Sequence, residues 1–255
     1  MQIGTIECDD MKQPILFLGV VCMFLTSGCL GFVNNEEIQT SLKVEVNEQH
    51  LIIETIYEHG ELVSSSTVTF EFDFSGSNSD VSIKTFGLET DDGRFMTFNA
   101  DEQQTASLGF SQHGRYNVTL FAIDSTGANI TETKILIVEQ VISWAEDDAG
   151  APESLFFDAT PGNDGTTPSY LILNSTVTNP SPLLELNGRD VDLEWAVLNV
   201  DGQCMGHREI IENGDSVTWN TLHFAPIENH EVKLTIHEGQ DSVDVEHRIE
   251  LRYTD

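Results

Sequence analysis

The sequence has few basic residues for its length. Of 255 residues, only 11 are Lys or Arg, against 43 Asp or Glu, which gives a formal net charge of -32 at pH 7. A chain this acidic repels phosphate backbones, so we expect no nucleic-acid partner. Anionic lipid surfaces will not hold it by charge alone. We interpret the excess of acids mainly as surface solvation rather than as one ligand site.

Long apolar runs are also scarce. The first apolar run extends from Ile15 to Leu25, follows Lys12 and ends in small residues up to Cys29. It is too short to cross about 30 Å of hydrocarbon, which takes roughly 20 residues. A positive start, a short apolar run and small residues are typical of a secretory signal. We therefore predict that residues 1–28 are a signal peptide.

The start of this signal is acidic instead of basic. Glu7, Asp9 and Asp10 precede the apolar run, and Met11 lies directly before Lys12. Because an export signal begins with positive charge, we expect translation to start at Met11, so that residues 1–10 are not part of the product.

The end of the apolar run resembles a known processing site. Ser27-Gly28-Cys29 resembles the lipobox of prokaryotic lipoproteins, archaeal ones included, although Thr26 stands where that family has Leu. The resemblance implies that Cys29 becomes a lipidated first residue, anchored to the outer face of the cell membrane. Two alternatives remain: an uncleaved short anchor reaching Val33, or a cleaved signal without lipid. All three place the rest of the chain outside the cytoplasm.

Cysteine is too rare for a disulfide framework. The sequence has Cys8, Cys22, Cys29 and Cys204, and processing at Cys29 leaves Cys204 with the one free thiol. An exported domain without bridges must rely on its hydrophobic core.

Apolar residues alternate with period two instead of helical spacing. In Thr67–Phe74, one face carries Val68, Phe70, Phe72 and Phe74, as expected for a half-buried antiparallel strand. The other predicted strands are Leu51–Tyr57, Val81–Phe86, Tyr116–Ile123, Thr133–Val138, Leu171–Val177, Leu193–Leu198, Val217–Leu222, Val232–Ile236 and Val243–Tyr253. The pattern predicts an all-β fold.

A stretch rich in Gly, Pro and Asp at residues 144–168 interrupts the strand rhythm. We therefore predict two consecutive Ig-like antiparallel β-sandwiches: a polar tether over 29–41, one sandwich over 42–143 and a second over 144–255. Both halves end in a pair of strands that we expect to be hairpins. Trp195 stands where such sandwiches bury an aromatic residue on the third strand.

The first half resembles a PKD-type Ig-like domain. The resemblance depends on Gly114-Arg-Tyr116-Asn-Val118-Thr-Leu120 and on the turn Asp124-Ser-Thr-Gly127. It covers residues 42–140 and implies an extracellular spacer or binding module. The family's Trp-Asp-Phe-Gly-Asp signature is absent, with Phe72-Asp73-Phe74-Ser75-Gly76 in its place.

Candidate sites are few. Ser111 and His113 in Gly109–Gly114 lack the spacing of a nucleophile elbow, so we interpret the segment as a turn. His230 and His247 share parity with apolar residues, which favours burial in the core.

Two kinds of surface site are also predicted. Oxygen-rich loops between strands are candidates for calcium binding. N-glycosylation motifs begin at three asparagines. The calcium candidates are Asp91, Asp92, Asp147, Asp148, Asp158 and Asp164, and the glycosylation candidates are Asn117, Asn129 and Asn174.

These observations favour a membrane-anchored, non-enzymatic surface protein. The expected partners are the membrane, through the lipid, and a protein or glycan at the cell surface, with calcium as a conceivable ligand and no other cofactor. The alternatives are a structural subunit of a surface layer or filament, in which edge strands pair between copies, and an exported hydrolase or its accessory subunit.

Overall fold

The computed structural model describes residues 39–181, 188–224, 228–239 and 241–254. The predicted signal peptide and Cys29 lie outside these residues and stay predictions. Every regular element in the described part is a β-strand, which confirms the all-β prediction. None of the described segments forms a helix that could span a membrane.

The strands of the first half run from the end of the predicted tether to a long strand that continues into the second half. They are β1 (Thr40–Ser41), β2 (Glu45–Val46), β3 (His50–Glu58), β4 (Glu61–Ser65), β5 (Val68–Asp73), β6 (Asn78–Ser79), β7 (Ile83–Thr90), β8 (Phe95–Asn99), β9 (Thr105–Phe110), β10 (Gly114–Asp124) and β11 (Asn129–Ala149). Thr40 and Ser41 pair with β6, so regular structure begins inside the segment assigned to the tether.

The strands of the second half are β12 (Leu155–Asp158), β13 (Tyr170–Thr178), β14 (Val191–Asn199), β15 (Gly202–Ile211), β16 (Ser216–His223), β17 (Asn229–Glu238) and β18 (Val243–Arg252). Three sheets are confined to one half each: the two-stranded β1-β6 and the three-stranded β2-β5-β9 in the first, and the four-stranded β12-β17-β14-β15 in the second. A nine-stranded sheet, in the order β16-β13-β18-β11-β10-β7-β8 with β3 and β4 beside β11, extends through both halves.

The three-stranded and four-stranded sheets each cover part of the nine-stranded sheet and enclose apolar side chains against it. In the first half, Phe70 and Phe72 of β5 pack with Leu120 of β10 and Leu136 of β11. The predicted alternation along β5 is confirmed, because Phe70 and Phe72 are buried while Glu71 between them is exposed. This burial of one face against a second sheet is the architecture of a β-sandwich.

The second half buries its own core between two sheets in the same way. Leu173 of β13, Val232 of β17 and Ile249 of β18 belong to one buried cluster. A neighbouring cluster contains Trp195 of β14, which is completely buried as the sequence predicted.

Strand β11 is common to both halves. Its first part pairs with β10 up to Val138, and its second part pairs with β18 from Gln140 onwards. Strand β3 lies parallel to it over residues 137–145. The predicted boundary at residue 143 therefore falls inside a strand, although the core of the first half ends at Val138 and that of the second begins at Ile142.

Two features of the first half agree with the Ig-like resemblance. The hydroxyl of Tyr116 donates to the carbonyl oxygen of Gln112 at 2.9 Å, the arrangement known as a tyrosine corner. Burial raises the pKa of Tyr116 to about 12, so the hydroxyl stays protonated. At the predicted turn, Asp124 accepts from the backbone amides of Thr126 and Ala128, and Gly127 has a φ of 87°.

The final strands of the two halves are not equivalent. Strands β10 and β11 pair as the predicted hairpin. Strand β17 instead pairs with β12 and β14, whereas β18 pairs with β11 and β13. The prediction of a second hairpin is therefore wrong, because β17 belongs to the four-stranded sheet, whereas β18 lies between β11 and β13 in the nine-stranded sheet.

A cluster of three hydrogen-bonded side chains, Trp195, Ser175 and His247, is enclosed in the second core. The indole Nε1 of Trp195 donates to Ser175 Oγ at 2.7 Å, and Nδ1 of His247 lies 2.8 Å from the same hydroxyl. His247 is buried, as its parity predicted. Burial lowers the pKa of His247 to about 4, so this core keeps a neutral imidazole at neutral pH.

We expect acid to destabilise the protein through His247. The folded pKa lies below the value of about 6.5 expected in the unfolded chain, so stability is lost as the pH falls from about 6.5 towards 4, by about 3 kcal/mol. Urea unfolding at a series of pH values measures this loss. His247→Gln should flatten the profile in that window, whereas His237→Gln, at a partly exposed imidazole beside Glu194, should retain it. An identical slope in both variants would contradict the assignment.

A buried carboxylate joins the two halves beside the shared strand. Glu139 of β11 is 2% exposed, and its Oε1 accepts from the backbone amide of Tyr253 at 3.0 Å. Its Oε2 is paired with the guanidinium of Arg252 and lies 2.9 Å from Nε2 of His50. Glu139 therefore links the middle of β11 to the end of β18 and to the start of β3.

We expect Glu139→Leu to cost about 2 to 3 kcal/mol of unfolding free energy, since it leaves Nη1 of Arg252 and the buried amide of Tyr253 without their acceptor, while Glu250 still pairs with the same guanidinium. Glu132→Leu, which removes a more exposed ion pair with Lys134 on the same strand, should cost under about 1 kcal/mol. Equilibrium urea unfolding compares the two. Equal losses would show that Glu139 has no special role at the junction.

Candidate ligand-binding cleft

A cleft of about 280 Å³ lies where the two cores meet. It is lined from the first half by Tyr57 of β3 and the turn at residues 111–113. From the second half it is lined by residues 156–158, Thr160 and Asn229. Gln140 and Ile142 of β11 lie between them. Clefts between packed units are common ligand sites, because side chains from several elements converge there.

Aromatic rings provide the apolar surface of the cleft. Phe156 is 64% exposed, whereas Leu155 and Phe157 on either side of it are buried. Strand alternation explains this, because a run of three apolar residues must turn one of them outward. The partly buried ring of Tyr57 lies 5.8 Å from that of Trp144, which fixes its position.

The polar lining consists almost entirely of neutral groups. Amides, hydroxyls and one carboxylate line the cleft, and the residues that carry them are Gln112, Gln140, Asn229, Ser111, Thr160 and Asp158. The described lining includes neither Lys nor Arg. Amides offer both donors and acceptors in one plane, so the set suits a ligand with many hydroxyl groups more than an anion.

His113 fixes the shape of the cleft at the junction. Its Nε2 donates to the carbonyl oxygen of Asp158 at 3.2 Å, and its Nδ1 accepts from the hydroxyl of Tyr253 at 2.8 Å. Burial lowers the pKa of His113, which keeps the imidazole in the neutral form that this arrangement needs. The imidazole thus connects the turn before β10 with the ends of β12 and β18.

The partners of His113 decide whether it could act as a base for Ser111. Ser111 also lines the cleft, and residues 111–113 form the connection between β9 and β10 that the sequence predicted. Both ring nitrogens of His113 are bonded to groups other than Ser111. The imidazole is therefore not placed to take a proton from that hydroxyl.

A larger groove of about 410 Å³ lies on the nine-stranded sheet. Ser143 and Ala145 of β11 lie between Glu58 of β3 and Glu246 of β18. Trp144 also borders it but is 4% exposed and belongs to the second core. Tyr57 lines this groove as well as the junction cleft, but it is partly buried, so no ring among the groove's described lining residues is as exposed as Phe156.

The predicted calcium ligands are spread over separate places. Asp91 and Asp92 follow β7, Asp147 and Asp148 lie near the end of β11, and Asp158 and Asp164 lie at and after the end of β12. Across the described ranges, no group of three or more His, Cys, Asp or Glu side chains could hold a metal ion. Calcium binding stays a prediction, and Asp158 is the member that lines the junction cleft.

Several of these aspartates have protein partners. Asp91 accepts from the backbone and side-chain amides of Asn117 at 3.0 and 2.8 Å. Asp92 is paired with the guanidinium of Arg94. Asp148 accepts from the hydroxyl of Ser242. These bonds give Asp91 and Asp92 structural roles in the turn after β7, and give Asp148 one at the irregular end of β11.

The glycosylation candidates differ in accessibility. Asn117 on β10 and Asn129 at the start of β11 are exposed, whereas Asn174 on β13 is partly buried and borders the groove on the nine-stranded sheet. Asn117 lies between the buried Tyr116 and Val118, so strand alternation directs it outward. Whether any of them carries a glycan stays a prediction.

Sequence analysis missed most residues of the cleft. Phe156, Gln112, Gln140 and Asn229 come from four different elements, and no spacing along the chain connects them. One signal was present in Leu155-Phe156-Phe157, because three consecutive apolar residues in a short strand expose the central ring.

No protein-family model matches the chain, and no curated protein sequence matches it. Among solved structures, it is similar to carbohydrate-binding modules of the β-sandwich superfamily, with 10% identity, a TM-score of 0.32, and coverage of 84% of this chain and 96% of that one.

Two further solved structures are similar to this chain. The fibronectin(III)-like modules from Clostridium thermocellum are 15% identical, with a TM-score of 0.26 and coverage of 83% and 94%. A Bacteroides uniformis β-glucuronidase is 9% identical, with a TM-score of 0.25, and the chain spans only 30% of its length. Likenesses this distant carry no argument about the cleft. The chain is an all-β protein of the β-sandwich class.

Proposed function

We propose that this chain is a non-catalytic binding module of the cell surface, and that the junction cleft binds a neutral glycan. The observation that carries the proposal is the lining of the cleft: an exposed phenylalanine beside amides, hydroxyls and one carboxylate, without a lysine or arginine among the described lining residues.

The chemistry of this lining suits a sugar. A pyranose ring presents C–H groups on its faces, which pack on an aromatic ring such as Phe156, and hydroxyls at its edges. The side-chain amides of Gln112 and Asn229 can accept and donate at once, and the carboxylate of Asp158 accepts. Since the chain has a net charge of -32, an acidic sugar would be repelled where no cation compensates it.

The absence of an activated nucleophile in the cleft supports a binding role over hydrolysis. Hydrolytic sites pair a nucleophile or an acid with a base whose pKa is tuned to the reaction. The imidazole of His113 is occupied by Tyr253 and by the carbonyl oxygen of Asp158, and Asp158 is the single carboxylate among the described lining residues.

We expect migration of the full chain to be retarded in affinity gels that contain a neutral polysaccharide, with xylan, β-glucan and mannan as the probes. Gels that contain polygalacturonate should not retard it. Phe156→Ala should weaken binding about tenfold, because stacking of a ring is worth roughly 1.4 kcal/mol. Phe95→Ala is the matched control, since Phe95 is also 64% exposed but lies on β8, away from the cleft.

Two outcomes would contradict the proposal. One is the same loss of binding in the Phe156 and Phe95 variants, and the other is binding to polygalacturonate alone. Phe156→Ala should leave the midpoint of thermal unfolding nearly unchanged, which separates loss of a contact from loss of the fold.

The anchor is proposed from the sequence. Cys29 in Ser27-Gly28-Cys29 carries the lipid, and the described domain is held at the outer face of the membrane. Intact-mass analysis of the membrane fraction should give a mature protein that begins at Cys29 with added lipid mass. Cys29→Ser should release the protein from the membrane fraction, and a wild-type protein of full length without lipid would refute the anchor.

A further inference from the structure

One arginine differs from the others in its surroundings. The chain has six arginines, and five of them lie within ion-pair distance of a carboxylate. Arg115 of β10 has no such partner among the described residues, although the chain contains 43 acidic residues. In a chain so rich in acids, a guanidinium without a carboxylate is unexpected.

Arg115 borders a cavity of about 250 Å³ on the nine-stranded sheet. Cross-strand pairing places Arg115, Ile137 and His50 in one row on three neighbouring strands. Ile137 is 7% exposed, and Ile135, two residues earlier on the same strand, is 39% exposed. Gln49, which precedes His50 in the chain, also lines the cavity. The described lining of the cavity thus has one guanidinium, one imidazole, one amide and two aliphatic side chains.

The charges around the cavity restrict the ligand. Nε2 of His50 lies 2.9 Å from Glu139, which shares the guanidinium of Arg252 with Glu250. Arg115 is therefore the one cation without a carboxylate partner among the described lining residues. A phosphate or sulfate dianion would need more cations than this in a chain of net charge -32. A carboxylate carries one negative charge and matches the fork of the guanidinium in two parallel hydrogen bonds.

The size and the walls restrict it further. A volume of about 250 Å³ is smaller than that of pockets for drug-sized ligands, which begin near 300 Å³. Ile135 and Ile137 provide aliphatic contact and no hydrogen bonds, so the body of the ligand must be apolar.

We propose that this cavity, distinct from the junction cleft, binds a small aliphatic monocarboxylate. The carboxylate pairs with Arg115, and the hydrocarbon part packs on Ile135 and Ile137. The site is open to solvent at His50, whose side chain is 52% exposed, so the ligand can enter without a change in the fold.

The test compares isovalerate with isovaleramide, a neutral molecule of the same shape. The full chain, labelled with ¹⁵N in detergent, is titrated with each at fixed ionic strength, and the amide shifts of Arg115, Ile135 and Ile137 are followed. We expect saturable shifts with isovalerate at a half-saturation concentration at least tenfold lower than with isovaleramide.

Variants assign the effect to one residue. Arg115→Gln should abolish the preference for the acid, and Arg115→Lys should weaken isovalerate several-fold, because an ammonium keeps the charge but not the fork. Lys233→Gln makes the same charge change at an exposed lysine that also lacks an ion pair among the described residues, and should keep the preference. Amide shifts far from the cavity report whether each variant is folded.

Three results would overturn the proposal. The first is the absence of saturable shifts at the three amides in the unmodified chain. The second is an equal response to isovalerate and isovaleramide. The third is a preference for isovalerate that survives Arg115→Gln in a folded protein.

Discussion

The pairing along β11 is the constraint on which the rest of the structure depends. One strand of 21 residues lies in both halves and takes β10 as its antiparallel partner first and β18 afterwards. The change of partner between Val138 and Gln140 brings the ends of these two strands together. Glu139 lies at that point and accepts from Tyr253, Arg252 and His50. A buried carboxylate without these donors would be costly, so the three contacts fix one arrangement of the halves.

The junction cleft follows from this arrangement. Because two cores end on either side of Glu139, the turn before β10, the end of β12 and the start of β17 converge without filling the space between them. His113 closes the floor by bonding to Tyr253 and to the carbonyl oxygen of Asp158. The cleft is lined by strands and by one hydrogen-bonded turn, so its surface is formed before a ligand binds. Little binding free energy is therefore spent on ordering the side chains and loops of the cleft.

Particular residues show how far the sequence could predict the fold. The alternation in β5 and the parity of His247 were sufficient because burial of one strand face depends only on neighbours two residues apart. Strands β4, β8, β9, β12 and β15 were missed, as were the two-residue strands β1, β2 and β6. In β15, for example, Gly202, Cys204 and Gly206 interrupt any alternation, and its strand character comes from pairing with β14. The partner of β18 was also unpredictable, since a strand's pattern does not specify which edge it extends.

By itself, the sequence determined the all-β class, the buried faces of most strands, the turn at Asp124–Gly127 and the burial of Trp195, because period-two alternation and turn chemistry are local. Only the tertiary structure decided that β11 is shared, that Phe156 and Gln140 line one cleft, and that Arg115 lacks a carboxylate partner among the described residues. These facts depend on contacts between residues far apart in the chain, and local spacing contains no information about which distant strands meet.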